Sequence, residues 1–328
     1  MSPDSTACGP AIHFDSLVLD GHCDTLLDCL RSGRTLGQRS AKGHLDLPRM
    51  KEGGVDCQLF ACYIGPEFKP DRGLKRALQM IDKFYTEIRA AGDLAVVARN
   101  HAEIVAAAEA GKIAAVLTIE GGECLDTDVS NVRIMKELGV LAIGLTWNER
   151  NMIADGVGEE RTGGGLTNFG VEVVKEMNRA GILVDVSHLS EAGFWDVIEV
   201  SRKPVIASHS NAKAVCNHRR NLTDEQLLAL AKNGGVTGMN FAKDFVAEKD
   251  ADLSGVVRHI EHICALVGPD HVGLGSDFDG ISEGPTGLED VTRMPAITAE
   301  LARLGYPEAG IRKILGGNFL RVIKEVAG

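Results

Sequence analysis

LVLDGHCDTL, residues 17–26, opens as a buried strand and then departs from the pattern of one. Its first residues are apolar and β-prone, but the run continues into Gly21, His22 and Asp24, and a core strand has no use for an imidazole and a carboxylate. If the chain stays extended, residues i and i+2 point to the same side, so His22 and Asp24 project into one space. A strand that ends on such a pair is delivering chemistry to its C-terminal end.

The same pattern recurs along the chain. Short apolar, β-branched runs occur as LVLDGH (17–22), VDCQLFACYI (55–64), IAAVLTIEGG (113–122), VLAIGLTWN (140–148), ILVDVSH (182–188), PVIASHS (204–210), GVTGMNF (235–241) and HVGLGSDF (271–278). Helical patterns separate them: GLKRALQMIDKFYTEIRAAG is amphipathic, VEVVKEMNRAG ends on Gly181, and TDEQLLALAKNGG opens with a Thr223/Gln226 capping box. Eight strands alternating with helices predict a parallel sheet, and continuous apolar runs predict that both of its faces are covered. The competing architectures are a closed (β/α)8 TIM barrel and an open doubly wound sheet. His22, Asp24, Glu120, Asn148, His188, His209, Asn240 and Asp277 all fall at strand C-termini. Only a barrel gathers these seven strand ends at one mouth, so the barrel of the metallo-dependent hydrolase type is expected. No linker or repeat divides the chain, which is read as one domain over 1–328 with 1–14 as a peripheral N-terminal segment; the connection 25–54 is oversized.

Composition agrees with an enzyme of this kind. A chain of 328 residues with 44% hydrophobic residues is long enough for a single barrel. A net charge of −11 and a pI near 5.4, without a Lys/Arg run, exclude nucleic acid or an anionic membrane as the main partner. The start, MSPDSTACGPAIHF, has neither the basic nor the apolar part of a signal peptide, and no window reaches the length of a membrane span, so a cytoplasmic location is expected. The eight cysteines are scattered without a CxxC pair and read as reduced structural thiols.

Three imidazoles (His22, His188, His209) and two carboxylates (Asp24, Glu120) around one mouth form a metal ligand set. Taken singly, a strand-end histidine is more often structural, and Asp24 is placed to cap the helix that follows it. Taken together, imidazole and carboxylate without thiolate suit zinc, manganese or iron. Five ligands exceed the need of one open tetrahedral zinc and match two metals sharing a bridging carboxylate. Of the acids in SDFDG, Asp277 ends a strand and is the better proton carrier, while Asp279 precedes Gly280 in a turn. The pair His259/His262, spaced i, i+3, reads as a solvated helix face.

The succession DGHCD, TIEGG, VDVSHLSEAGFWDV, ASHSNAKAVCNHRRNLTDEQL and HVGLGSDFDGI resembles the membrane dipeptidase (renal dipeptidase) family, peptidase family M19 of the amidohydrolase superfamily. The resemblance runs from about residue 15 to the C-terminus and includes connecting segments such as HLDLPRMKEGGVDCQ and GLEDVTRMPAITAEL. It implies two Zn2+ per chain: His22 and Asp24 on one, His188 and His209 on the other, and Glu120 bridging both together with a water or hydroxide. It further implies Asp277 as the catalytic proton carrier, Arg220 as the reader of the substrate's terminal carboxylate, a small dipeptide-like substrate and a possible homodimer. One departure stands out. Where the best-studied members have Leu-Thr-His, with a histidine that contacts substrate, this chain has LTWN, placing Trp147 there with Asn148 and Asn151 nearby as substitute donors. The expectation is a zinc-dependent dipeptidase. The alternative is a superfamily enzyme acting on another small amide, lactam or ester, and a chain that has lost catalysis is disfavoured by the survival of all five ligands with Asp277.

Overall fold

The computed structural model describes residues 8–328. Nine strands, all parallel, run in chain order as β1 Leu19–Cys23, β2 Cys57–Tyr63, β3 Ala95–Val97, β4 Ile113–Glu120, β5 Val140–Gly144, β6 Leu183–Asp185, β7 Ile206–Ala207, β8 Val236–Met239 and β9 Val272–Leu274. Their order is β2-β1-β9-β8-β7-β6-β5-β4-β3, and β2 also pairs with β4. That pairing closes an eight-stranded ring, so the open-sheet alternative is excluded and the fold is the (β/α)8 barrel. Each of the eight expected runs supplies one ring strand. The ninth, β3, went unread; it pairs with residues 113–115 of β4, below the point where β5 joins at Leu117. Its brevity and the exposure of Val96 gave it no run to recognise.

Polarity inside the ring is layered. Low in the barrel, Leu19, Leu59, Val116, Leu183, Ile206 and Val236 form one apolar cluster with Phe319, Val322 and Ile323 of the terminal helix Asn318–Ala327, which seals that end. Outside, the helix Gly73–Ala90 buries Ala77, Met80, Ile81, Phe84 and Ile88, a stripe at helical spacing against the sheet. Helix ends follow the sequence signals: Thr223 and Gln226 form the capping box, and Gly181 closes the helix Asn168–Ala180 at φ 69°. Of the expected peripheral segment, residues 1–7 lie outside the described residues; the helix Cys8–Phe14 packs on Pro295–Arg303, with His13 bonded to Thr298 Oγ1 at 2.7 Å and Gly53 O at 2.9 Å. The seven described cysteines from Cys23 onward are free, and six of them are buried. Among the described residues no helix is long and apolar enough to cross a membrane.

The His259/His262 pair corrects the sequence reading. His262 is half-buried and pairs with Asp224 at 2.7 Å, but His259 is fully buried, taking the Ala212 N–H at Nδ1 (3.2 Å) and bonding Val246 O through Nε2 (3.1 Å). Helical spacing shows which residues share a face and leaves open whether a loop covers that face. Burial pushes the His259 imidazole from 6.5 down to about 4, against the Val246 bond. The fold therefore prefers the neutral ring, and this contribution is complete above 6.5 and is lost as pH falls through 6.5 toward 4. At about pH 5 the expected loss is roughly 2 kcal/mol. Denaturant midpoints at about pH 7.5 and about pH 5 should show the parent losing that much more than His259→Gln; equal acid losses in both would remove His259 as the cause.

Candidate metal centre

Ring closure brings the strand ends together. Glu120 is the last residue of β4, and His22 lies one residue before the end of β1. Asp24 occupies the N-cap position of the helix Thr25–Ser32, yet its side chain makes no capping bond. Its Oδ2 sits 3.4 Å from His22 Nε2 instead, and its buried Oδ1 has no partner among the described residues. The capping alternative is thereby set aside. His188, His209 and Asp277 lie two to three residues beyond β6, β7 and β9. His188 and Asp277 are non-glycine residues at φ 67° and 64°, a strained conformation that tends to mark functional sites. Gly280 makes room for the acids, because a Cβ there would collide with both Asp24 Oδ2 and Asp277 Oδ1.

All five expected ligands converge. His188 Nε2 lies 2.9 Å from Glu120 Oε1 and 2.8 Å from His209 Nε2, which is itself 3.5 Å from Glu120 Oε1. On the other side, His22 Nε2 lies 3.7 Å from Glu120 Oε2 and 4.0 Å from Asp277 Oδ1. Glu120 thus turns one oxygen to His188 and His209 and the other to His22. Two groups, His22/Glu120/His209 and His22/Asp24/Asp277, have ligand atoms close enough to surround a cation.

The donor set fits a metal. His188 Nδ1 faces Asn148 Oδ1 at 2.8 Å, an acceptor, so the ring proton sits on Nδ1 and the Nε2 lone pair faces the cluster. His22 Nε2 is buried without a hydrogen-bond partner among the described residues. Imidazole and carboxylate atoms aimed at shared points, with no thiolate, suit a borderline or hard divalent cation. The electrostatics agree. Burial, with Asp24 beside it, pushes the Glu120 carboxyl well above its ordinary range, and burial lifts Asp277 to about 6 while His22 pulls it down. Burial depresses His22, but Glu120, Asp24 and Asp277 outweigh it and raise the ring to about 10. Burial and the nearby cations Arg220 and His22 hold His188 and His209 well below 6.5. Two buried carboxylates, Asp24 and Glu120, with the partly buried Asp277 beside them, call for positive charge.

A cleft of about 280 Å³ lies over the cluster. Arg220 is buried in its wall, bonded through Nη1 to Ser210 Oγ (3.3 Å) and through Nη2 to His209 O (3.2 Å), with Nε unpartnered among the described residues. Burial lowers its guanidinium to about 10, so it stays charged at neutral pH. Trp147 does line the cleft, edge-on to Tyr63 at 5.4 Å and 5.8 Å from the His188 ring. Asn148 lines it too, with its oxygen held by His188, whereas Asn151 is turned into its own loop, bonding Leu145 O and the N–H groups of Ile153 and Ala154. Asp279 is absorbed structurally by Thr25, Arg34 and the His44 N–H, each at 2.6 Å. A larger cavity of about 590 Å³ meets the cleft at His188 and Arg220. Tyr63 was missed as a cleft residue; its position as the last residue of β2 was the available signal. Asn240 was noted as a strand end but given no role, and its Nδ2 donates to Asp277 Oδ2 at 2.9 Å.

A family model described as membrane dipeptidase (peptidase family M19) matches residues 9–328. An uncharacterized dipeptidase of Schizosaccharomyces pombe is 37% identical over 300 residues, which is 86% of this chain and 72% of the relative. Dipeptidase verJ of Clonostachys rogersoniana is 34% identical over 297 residues, 86% of this chain and 76% of its own. Among solved structures, a metallo peptidase from Rhodobacter sphaeroides, liganded with a phosphinate mimic of the dipeptide L-Ala-D-Ala, superposes with a TM-score of 0.89 at 34% identity, covering 95% of this chain and 100% of that one.

Proposed function

The chain belongs to the membrane dipeptidase family, peptidase family M19, and from that premise we propose that its cleft holds two zinc ions and hydrolyses the amide bond of small dipeptides. Metal-dependent dipeptide hydrolysis follows from the family; the ion, the count and the residue roles are the proposal. The observation that carries it is Glu120, whose two oxygens face different histidines. His22 and Asp24 would hold one ion, His188 and His209 the other, and Glu120 would bridge them. Bound there, the pair of ions supplies Lewis acidity toward the scissile carbonyl and activation of water at neutral pH.

The chain's own residues do the rest. Arg220, charged and with an unpartnered Nε, receives the substrate's free carboxylate. Asp277, steadied by Asn240 at 2.9 Å, takes a proton from the attacking water and returns it to the leaving amine. Trp147 and Asn148 line the substrate space, and the Asn148 Nδ2, which has no partner among the described residues, is the donor left near the carbonyl in place of the family's histidine. Dipeptides related to the one mimicked in the Rhodobacter relative, with a D-residue in second position, are the first substrates to test. The free thiols go with a cytoplasmic location. The Trp147 departure keeps another small amide, lactam or ester as the second reading, and a panel of dipeptides against cyclic amides and lactones separates the two.

Elemental analysis should find about two zinc per chain, and chelation should abolish hydrolysis while leaving the circular dichroism of the barrel in place, since the apolar core contains no ligand. Glu120→Gln should weaken both ions together, whereas His209→Ala should loosen mainly one; unchanged stoichiometry in Glu120→Gln would remove the bridge from the reading. Asp277→Asn should keep its metal and lose about 10²–10⁴-fold in turnover, the worth of a positioned acid/base. Loss of metal in step with activity would make Asp277 a ligand instead, an arrangement its grouping with His22 and Asp24 permits.

A further inference from the structure

Behind His209 lies a buried chain of polar groups that the proposed mechanism does not use. Ser208 Oγ lies 2.5 Å from Asp185 Oδ2 and 2.7 Å from His209 Nδ1, with Ser187 Oγ farther off at 3.4 Å. Asp185 is ringed by donors, its Oδ1 accepting the backbone N–H of Ser187 at 3.0 Å and of Ser208 at 2.9 Å. We propose that Asp185 and Ser208 act as positioning residues, a relay that fixes His209 as the Nδ1–H tautomer and so presents its bare Nε2 to the metal. The proposal rests on the reading of His209 as a ligand.

The argument is a proton count. A serine hydroxyl has one proton and can accept at its oxygen. Given to the carboxylate at 2.5 Å, that proton is unavailable to the ring, so the 2.7 Å contact is made only if His209 Nδ1 carries the hydrogen and Ser208 accepts it. Nε2 is then unprotonated and faces Glu120 Oε1 at 3.5 Å and the equally bare His188 Nε2 at 2.8 Å, a meeting of two lone pairs that calls for the positive charge of a cation beside them. His188 reaches the same tautomer by a direct bond to Asn148, so the two rings are set alike by different means. The relay has little freedom to turn: Ser208 and His209 are buried, and the Ser208 carbonyl is pressed against Gly238 and Gly275, where a Cβ on either would collide with it. A similar pair, Ser276 on Asp20, donates its Oγ at 2.6 Å and its N–H at 2.7 Å, but its other Oγ neighbours are backbone groups, the Phe278 N–H at 3.2 Å and the His22 oxygen at 3.3 Å. It touches no ring nitrogen and serves as the control.

Asp185→Asn tests the relay by reversing it. The amide oxygen keeps the two backbone N–H bonds, its nitrogen becomes a donor to Ser208 Oγ, and the hydroxyl proton turns to His209 Nδ1, leaving the ring hydrogen on Nε2. Long-range ¹⁵N–¹H spectra of the metal-free protein should show His209 protonated at Nδ1 in the parent and in Ser276→Ala, at Nε2 in Asp185→Asn, and as a mixture in Ser208→Ala. Zinc affinity should fall by about 10–100-fold in Asp185→Asn with circular dichroism unchanged, the usual size of a loss behind a ligand histidine. An Nε2–H parent ring, or an Nδ1–H ring retained in Asp185→Asn, would overturn the relay. Should the Asn variant fail to fold, the parent and Ser208→Ala spectra decide it, since an unmoved tautomer in Ser208→Ala overturns it equally. The flipped tautomer with unchanged zinc affinity would instead overturn His209 as a ligand.

Discussion

Seven residue pairs between β2 and β4, from Cys57 with Ala114 to Tyr63 with Glu120, turn a parallel sheet into a ring. Everything at the mouth depends on that pairing. Without it, Glu120 at the end of β4 and His22 at the end of β1 would belong to opposite flanks of an open sheet; with it, β1 and β4 both flank β2, and the two side chains meet across the barrel. A parallel ring also points every strand the same way, so the charged ends collect at one mouth while the other end is sealed by Phe319 and its neighbours. The apolar layer below supplies stability that the polar layer above does not provide.

That polar layer is costly by itself. Asp24, Glu120 and Asp277 are held in one nearly dry space, and His188 and Asp277 sit in left-handed backbone conformations that cost of order 1–3 kcal/mol each. The surroundings hold them there. The His188 carbonyl accepts from Val157 N at 2.7 Å and from Thr146 Oγ1 at 3.3 Å, and Asp277 is tied through its N–H to His22 O at 3.2 Å. Asp279, a third left-handed residue, is anchored by Arg34 and His44 from the long connection 25–54. The size of that connection, an oddity in the sequence, corresponds to a brace on the loop that carries Asp277.

The ring strands and the expected ligands were legible because every apolar run but the second, 55–64, ended in a residue that a buried strand does not need. Where that contrast was missing, the reading stopped. β3 was too short to form a run. His259 shared a helical face with His262, and spacing did not reveal that the segment around Ala212 and Val246 covers only one of them. Asp185, Ser208 and Ser276 carried no signal in the sequence, because what distinguishes them is a partner on the adjacent strand, and adjacency belongs to the closed ring rather than to the local sequence. Asn148 was read for its donor, while the structure uses its oxygen to orient His188.

The expected ligands and the rest of the cleft wall are held by different parts of the barrel. The ligand atoms lie at or within three residues of strand ends, where the hydrogen-bonded ring fixes them. Trp147 and Phe245 lie on connections beyond β5 and β8, and Tyr63 shows its ring at the rim of β2. Trp147 leans on Tyr63 and lies beside His188, so the indole departs from the family pattern in the wall of the cleft and leaves the cluster of His22, Asp24, Glu120, His188 and His209 intact. The exchange removes a chargeable donor from one wall and adds a flat apolar surface, opposite in character to the buried guanidinium of Arg220. The cleft thus sets one buried cation opposite a wall of flat apolar surface, so its two sides differ in the contacts they offer, charge on one and shape on the other.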